Sequence, residues 1–323
     1  MGTKIDYKKY LAENYFRTNT ELARIIRQDY QLIDLETIRA AIRYHRGSNG
    51  CRDRDNLKNK EFKSDYEKRF KKLPIAQEKR NYTPVDINGQ IILVLADIHI
   101  PDNDNAAIKL AIEYGQSKQV DTVVLLGDTL DFCKISKFLT APDAPTFQEE
   151  ITKGIQFLQY LRQEFPTQKI YYKEGNHELR LQAYLYRIAK ELADLKSLKL
   201  ENLLELDKFK IKFVPEYQLL QAGKLILAHG HEIRSNVSCN IARAMYLKAN
   251  NNILFGHFHR VEEYTDKNII SREIRGSWSV GCLSVEQPNY CIYSKFVHGF
   301  AVVTNINKEF FVDNRKIING QVL

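Results

Sequence analysis

Five short apolar segments, each followed at once by side chains that can bind a cation, restrict the fold of this 323-residue chain more than any other feature. The segments are residues 91–96, 122–126, 170–172, 225–228 and 252–255. Helical patterns lie between the first four of them, at residues 106–118, 147–165 and 179–195. Short buried strands that alternate with helices predict an α/β fold with a largely parallel sheet.

The polar motifs directly follow the predicted strands. They read Asp97-Ile98-His99, Gly127-Asp128-Thr129-Leu130-Asp131, Gly175-Asn176-His177-Glu178, His229-Gly230-His231 and Gly256-His257-Phe258-His259. Six of the eight histidines of the chain lie in these motifs, a concentration that composition does not explain. Ligands of open α/β sheets bind outside the carboxyl ends of the strands, so we expect all five motifs to meet at one sheet edge.

Carboxylate, imidazole and amide-oxygen ligands without thiolate suit Mn²⁺, Fe or Zn²⁺. Seven candidate ligands are too many for one ion but fit two ions that share a carboxylate. Two ions roughly 3.5–4 Å apart stabilise the attacking and leaving oxygens of an in-line displacement and lower the pKa of bound water. Taken singly, each residue has a structural alternative: Asp97 could cap a helix, Asp128 or Asp131 could sit in a turn, and a lone histidine could pack in the core. Together and in this order, the motifs favour a metal site.

The series DxH, GDxxD, GNHE, H and GHxH, over residues 91–259, resembles the calcineurin-like metallophosphoesterase superfamily, in the form found in phages and bacteria. The resemblance implies an αββα two-sheet sandwich and a centre of two divalent ions, with Mn²⁺ expected and Fe, Zn²⁺ or Mg²⁺ as alternatives. The implied ligands are Asp97, His99 and His259 for the first ion, Asn176, His229 and His257 for the second, and Asp128 as the bridge. His177 would protonate the leaving oxygen, and Asp131 would orient His177.

Three further residues near these motifs are candidates for substrate binding. Arg180 and Arg260 flank metal-binding loops and could contact phosphate, although pairing with Glu178 or Glu262 is the alternative. His231 could line the pocket or lie at the surface. Glu178 is expected to form a salt bridge or a cap rather than to act in catalysis.

The chain divides by composition into a helical start (residues 1–47), a basic and partly helical linker (48–84) and the predicted phosphoesterase domain (85–323). In the start, a helix after the capping residue Thr20 and a second helix at residues 35–42 resemble a helix-turn-helix unit. Its candidate contacts to nucleic acid are Arg39, Arg43 and Arg46. The alternatives are a helical cap on the main domain or a dimerisation hairpin.

The net charge of +8 is concentrated in one stretch. Residues 43–80 contain 13 basic and 6 acidic side chains, whereas residues 81–323 contain 28 of each. A basic stretch of this kind suggests a polyanionic partner, and a solvated helix with pairs such as Glu67–Lys71 is the alternative. The Ser/Thr protein phosphatases of the superfamily have arginine directly after GDxxD, where this chain has Phe132, so a protein phosphatase is disfavoured.

These observations predict a dinuclear-metal-dependent phosphodiesterase or nuclease that attacks DNA or RNA with a metal-bound hydroxide. The alternatives are a small-molecule phosphoesterase for nucleotides or cyclic nucleotides, and a DNA-binding regulator with a vestigial centre. No apolar run is long enough to cross a bilayer and no secretory signal is visible, so we expect a cytoplasmic protein, in a bacterium or in the host of a phage. Five widely spaced cysteines without a CxxC pair agree with a reducing compartment.

Residues 277–285, 298–306 and 310–313 predict antiparallel strands of a second sheet, and the oligomeric state stays open.

Overall fold

The computed structural model describes residues 5–46, 80–140, 142–233, 240–288, 293–307 and 309–323. The chain forms two compact units that separate before Arg80, here called the helical unit and the sandwich unit. The predicted domain boundaries at residues 47 and 84 stay predictions. The predicted partly helical linker up to residue 79, with the Glu67–Lys71 pair, lies outside the described residues.

The helical unit is built from three short amphipathic helices. They are α1 (Tyr7–Glu13), α2 (Asn19–Asp29) and α3 (Leu35–Arg46). The buried side chains are Leu11, Leu22, Ala23, Ile26, Ile38 and Ile42. Helix α2 is capped by Thr18 rather than by the predicted Thr20, because Thr18 and Glu21 exchange hydrogen bonds across the first turn. The helical start predicted from the sequence is therefore confirmed, with residues 30–34 connecting α2 to α3.

The sandwich unit combines strands and helices in chain order as follows. The strands are β1 (Val85–Asp86), β2 (Ile91–Leu95), β3 (Thr122–Leu126), β4 (Lys169–Lys173), β5 (Ile211–Val214), β6 (Leu220–Ala222), β7 (Leu225–Ala228), β8 (Ile253–Phe255), β9 (Glu262–Lys267), β10 (Ile274–Ser279), β11 (Gly299–Ile306), β12 (Glu309–Ile318) and β13 (Gln321–Val322). The helices are α4 (Asn105–Ser117), α5 (Phe147–Glu164), α6 (Leu179–Ile188), α7 (Leu200–Leu203) and α8 (Ile241–Ala249).

Within the described residues, these strands form two sheets. The first has the order β13-β12-β11-β2-β3-β4-β5, and the second has the order β1-β6-β7-β8-β10-β9. Strands β2 to β5 are parallel, and so are β7, β8 and β10. Because parallel strands point the same way, their carboxyl ends lie together at one edge of each sheet.

Alternation along the strands of the first sheet creates the layers. Leu93, Leu95, Val123 and Leu125 pack against α4 and α5, whereas Ile92, Val94, Val124 and Leu126 pack against the second sheet. Helix α8 covers the far side of the second sheet, where Ile241 and Met245 contact Ala228, Ile253 and Phe255. The predicted αββα sandwich is confirmed.

The structure corrects three predictions about these elements. Helix α6 ends at Ile188, and only short 3₁₀ turns follow in the predicted range up to residue 195. Strands β11 and β12 join the first sheet beside β2 rather than building the second, because β2 is buried and its free edge needs hydrogen-bond partners. The five polar motifs also do not share one sheet edge: three follow β2, β3 and β4, and two follow β7 and β8.

No helix among the described residues combines the length and apolar character needed to cross a bilayer.

Candidate metal centre

The loops after β2, β3 and β8 turn sharply into the site, and they do so through left-handed backbone. The φ angles are 53° at Asp97 and His99, 50° at Asp128, 70° at His257 and 56° at His259. Residues other than glycine adopt this conformation only when the surrounding structure compensates for the strain, and such residues cluster at functional sites. Five polar residues of the predicted centre share it.

Glu178 supplies part of that compensation for the Asp128 loop. Its buried carboxylate accepts hydrogen bonds from the backbone N–H groups of Asp128, Thr129 and Leu130 at 3.1, 2.8 and 3.1 Å. It also accepts from the N–H of Gly175 at 3.0 Å, which joins the loop after β3 to the loop after β4. The structure thus places Glu178 as an organiser of backbone, in agreement with its predicted non-catalytic role.

Asp97, His99 and His259 form the first group of potential ligands. Asp97 Oδ1 lies 3.3 Å from His259 Nε2 and 3.9 Å from His99 Nε2, and the two imidazole Nε2 atoms are 3.2 Å apart. Asp97 Oδ1 is buried and has no hydrogen-bond partner among the described residues. The other oxygen, Oδ2, accepts from the backbone N–H of His257 at 2.8 Å.

Asp128, His229 and His257 form a second group, and Asn176 lies beside it. Asp128 Oδ2 is 3.1 Å from His229 Nε2, and Asn176 Oδ1 is 3.2 Å from the same nitrogen. A third group, His99, Asp128 and His177, lies between the other two. The structure therefore brings all seven predicted ligands into one cluster, with Asp128 in its middle.

The direction of the imidazole lone pairs fits a pair of cations. His229 Nδ1 lies 2.8 Å from the carbonyl oxygen of Leu126, so the Nδ1–H group donates there and Nε2 presents a lone pair to the oxygens of Asp128 and Asn176. His99 Nδ1 lies 3.1 Å from Asp131 Oδ1, which leaves its Nε2 facing the first group in the same way. Acceptors that face one another repel unless a second proton or a cation lies between them.

The pKa shifts also indicate a need for positive charge beside the aspartates. Burial works to lower the pKa of His229 and of His259, but the carboxylates of Asp128 and Asp97 outweigh it and raise each pKa to about 10. Burial works to raise the pKa of both aspartates, yet the imidazoles beside them hold each pKa below its usual range. Two buried carboxylates thus retain negative charge, which either protonated imidazoles or divalent ions beside them balance.

His177 belongs to the third group of potential ligands, with His99 and Asp128, and its role as an acid beside the metals rather than a ligand stays a prediction. Its Nδ1 is 2.9 Å from Asp131 Oδ1 and 3.0 Å from the Asp131 carbonyl oxygen. Arg180 donates to that carbonyl oxygen at 2.7 Å and to His177 Nε2 at 3.0 Å. Because a guanidinium only donates, His177 accepts at Nε2 and has its proton on Nδ1 in this arrangement.

Two other predicted substrate residues of the sandwich unit have acidic neighbours. Arg260 lies 3.8 Å from Glu262, the pairing considered as its alternative. His231 lies 3.5 Å from Glu232 and 5.3 Å, ring to ring, from His229, and burial lowers its pKa to about 4. Contacts of Arg180, Arg260 and His231 with substrate stay predictions.

The candidate nucleic-acid residues lie on α3 of the helical unit. Arg39 and Arg43 both pair with Glu36, so two cations share one carboxylate. Arg46 donates to the side chain of Asn19 at 2.5 Å and thereby holds α3 against α2. Nucleic-acid binding by these residues also stays a prediction.

The sequence analysis did not identify two acids that support loops of the site, the buried Glu150 and the largely buried Glu232. Glu150 of α5 accepts from the N–H of Phe132 at 2.5 Å and thereby fixes the turn after Asp131. Glu232 accepts from the N–H of Gly230 at 2.7 Å and supports the loop after β7. For Glu232 a signal existed, because it directly follows the His229-Gly230-His231 motif. Glu150 gives no such signal, since it is one of several acids in an amphipathic helix.

A family comparison agrees with this geometry. The family model described as calcineurin-like phosphoesterase matches residues 91–272, more than half of the chain. The chain belongs to the calcineurin-like phosphoesterase family. Membership identifies it as a phosphoesterase, and the clustered histidines and aspartates indicate a centre of two divalent metal ions.

Similar proteins come from phages and from solved structures. The Gene 54 protein of Mycobacterium phage L5 is 30% identical over 178 residues, which cover 52% of this chain and 69% of that protein. A dimetal phosphatase from Danio rerio is 13% identical, with 72% of this chain and 97% of that chain covered and a TM-score of 0.36. YfcE, a phosphoesterase from E. coli, is 13% identical, with 66% and 87% covered and a TM-score of 0.32. Structural likenesses at this level carry no argument about substrate.

Gly127→Ala tests the contact between the β3 loop and His229. Gly127 has a φ of 88°, and a Cβ there would lie 2.5 Å from His229 Nδ1, so the imidazole or the loop must shift from its position beside Asp128. We expect Mn²⁺ binding, measured by titration calorimetry, to weaken by about tenfold or more. Gly320→Ala is the matched control, because Gly320 has a φ of 72° and open space around its Cβ position. Equal Mn²⁺ affinities in the two variants would contradict this account of the site.

Proposed function

We propose that this chain is a phosphodiesterase that uses two divalent metal ions to cleave nucleic acid. The observation that carries the proposal is the convergence of Asp97, His99, Asn176, His229, His257 and His259 around the carboxylate of Asp128. When bound, such ions supply a nucleophile from water near neutral pH and neutralise the phosphate oxygens. Mn²⁺ is the ion we expect from the family resemblance, and a donor set without thiolate suits it as well as Fe or Zn²⁺.

In this proposal, Arg180 and His177 act on the substrate side of the cluster. The incoming phosphate draws the Arg180 guanidinium away from His177 Nε2, because a bidentate contact with an anion is stronger than one with a neutral ring. The freed Nε2 takes up a proton from solvent, so that the imidazole is positively charged, and then donates this proton to the leaving oxygen, while Asp131 holds the Nδ1–H group. Both Asp128 and Asp131 raise the pKa of His177 against the effect of burial, which favours the protonated form needed for this step.

The residue after Asp131 supports a substrate other than a phosphoprotein. Phe132 occupies the position of the arginine that grips phosphate in the protein phosphatases, and only 1% of it is exposed. Its ring packs 5.1 Å from the ring of Phe147, so Phe132 contributes nothing to substrate binding. Arg180, reaching from α6, is the cation that takes this role.

The basic stretch and the helical unit support nucleic acid as the substrate class. The excess of seven positive charges at residues 43–80 begins on α3, whereas residues 81–323 are formally neutral. Lysine and arginine contacts to phosphates raise affinity without selecting a sequence. A helical unit joined to a neutral hydrolase by a basic segment therefore favours a polymeric phosphodiester.

A substrate panel tests the proposed reaction. Bis-p-nitrophenyl phosphate, p-nitrophenyl phosphate, cyclic nucleotides and plasmid DNA are each incubated with Mn²⁺ or with chelator. We expect Mn²⁺-dependent cleavage of the diester and of DNA, and its loss in Asp128→Asn, because the carboxylate shared by two ligand groups is gone. Turnover retained in Asp128→Asn would contradict the shared ligand. Cleavage of cyclic nucleotides without cleavage of DNA would favour a small-molecule phosphoesterase instead.

His177→Ala separates proton donation from metal binding. We expect the hydrolysis of diesters with alkyl leaving groups to slow by about 10²–10⁴-fold, and that of p-nitrophenyl diesters much less, since p-nitrophenolate leaves without a proton. The Mn²⁺ content should stay at the wild-type value. His298→Ala serves as the control, because His298 Nε2 donates to the carbonyl oxygen of Ser284 and the residue lies outside the ligand groups. Equal slowing of both substrates, or loss of metal, would refute the role of an acid.

Replacing Arg39 and Arg43 together tests the role of α3. In the full chain, we expect weaker binding to duplex DNA and a fall of about 2 in the slope of log affinity against log salt concentration, about 1 for each lost phosphate contact. Hydrolysis of bis-p-nitrophenyl phosphate should not change. Arg27→Ala, at an exposed position of α2, provides the comparison. An unchanged salt slope in Arg39→Ala/Arg43→Ala would exclude α3 as the DNA contact.

A further inference from the structure

An ion pair between the buried Lys173 and the largely buried Glu232 lies close to the second ligand group. Lys173, the last residue of β4, is fully buried, and its Nζ lies 3.0 Å from Oε1 of Glu232. The same ammonium donates to the carbonyl oxygens of Glu174 and Glu216, each at 3.0 Å. Its three donors are therefore all used, and the side chain has one defined position.

Glu232 connects Lys173 to the loop after β7 through hydrogen bonds. Its Oε1 accepts from the backbone N–H of His229 at 3.2 Å, and its Oε2 accepts from that of Gly230 at 2.7 Å. Both carboxylate oxygens of Glu232 thus accept hydrogen bonds from the loop after β7, and Oε1 also lies beside the Lys173 ammonium.

The pair connects two sheets at the point where their ligands must meet. Strand β4 belongs to the first sheet and β7 to the second, so no ladder of backbone hydrogen bonds sets the distance between their carboxyl ends. Asn176 comes three residues after Lys173, and His229 three residues before Glu232. Their ligand atoms, Asn176 Oδ1 and His229 Nε2, are nevertheless 3.2 Å apart.

We propose that Lys173 and Glu232 are positioning residues, whose ion pair across the two sheets sets the distance between Asn176 and His229 and so forms the binding site for one of the two ions. The inference rests on the proposed dinuclear centre. Stability alone is a poor explanation for the pair, because apolar side chains of similar volume stabilise a core as well as a buried ion pair or better. A positioning role has a consequence that a purely stabilising role lacks: loss of the ion pair weakens the binding of one of the two ions and leaves the other unchanged.

The double variant Lys173→Met/Glu232→Gln is the direct test, since it removes both charges and leaves no unpaired buried ion. We expect it to fold and to bind one Mn²⁺ as wild type does, at Asp97, His99 and His259, while the second Mn²⁺ binds about 10–100-fold more weakly. The matched control is Lys224→Met/Glu309→Gln, which removes an exposed ion pair of the same unit. Electron paramagnetic resonance adds a spectroscopic readout, because only two adjacent Mn²⁺ ions give an exchange-coupled spectrum.

The outcomes separate this inference from the proposed function. A double variant that binds two Mn²⁺ ions with wild-type affinity and shows the coupled spectrum would overturn the positioning role alone. A wild-type protein that binds no Mn²⁺ would overturn the dinuclear centre itself. If the double variant does not fold, Glu232→Asp keeps both charges but shortens the acidic side chain by one methylene, and the same selective loss of the second ion is expected from it, with two tightly bound ions as the contradicting result.

Discussion

The carboxylate of Asp128 is the constraint on which the rest of the centre depends. It is buried, belongs to two of the three ligand groups, and lies 3.9 Å from His99 of the remaining one. Its backbone has a left-handed conformation, which the hydrogen bonds of Glu178 to three successive N–H groups stabilise. The left-handed backbone of Asp128 and the burial of the Glu178 carboxylate both destabilise the fold. The requirement for a charged oxygen of Asp128 between the ligand groups explains why the fold retains them.

The ligands of the centre are divided between two sheets, so the geometry of the centre depends on contacts that hold the carboxyl ends of these sheets together. Asp97, Asp128 and Asn176 follow strands of the first sheet, whereas His229 and His257 follow strands of the second. Packing of Val94 and Leu126 against Leu227 and Leu254 holds the sheets together below the site. Between the loops that carry the ligands, polar contacts hold the two sheets together. The Lys173–Glu232 ion pair is one such contact between the sheets.

The sequence predicted the ligand cluster and the layers because both follow from local rules. Short runs such as residues 122–126 are apolar on both faces, which only a strand buried between two layers requires. The GNHE and GHxH motifs have specific spacing, so the cluster could be inferred before any distance was known. The partner of each strand could not be inferred in this way: β11 pairs with β2 across about 200 residues of chain, and nothing near Val303 indicates it. Strands β5, β6 and β9 were missed because they are short or polar, and Lys173–Glu232 because pairing across two sheets leaves no pattern in the chain.

Anomalous X-ray diffraction from crystals grown with Mn²⁺ tests the central claim most directly. We expect two peaks at the manganese edge, roughly 3.5–4 Å apart, one on each side of the Asp128 carboxylate. One peak should lie among Asp97, His99 and His259, and the other among Asn176, His229 and His257. A map with no peak at Asp128, or with the imidazoles of the two groups turned away from a common point, would contradict the account.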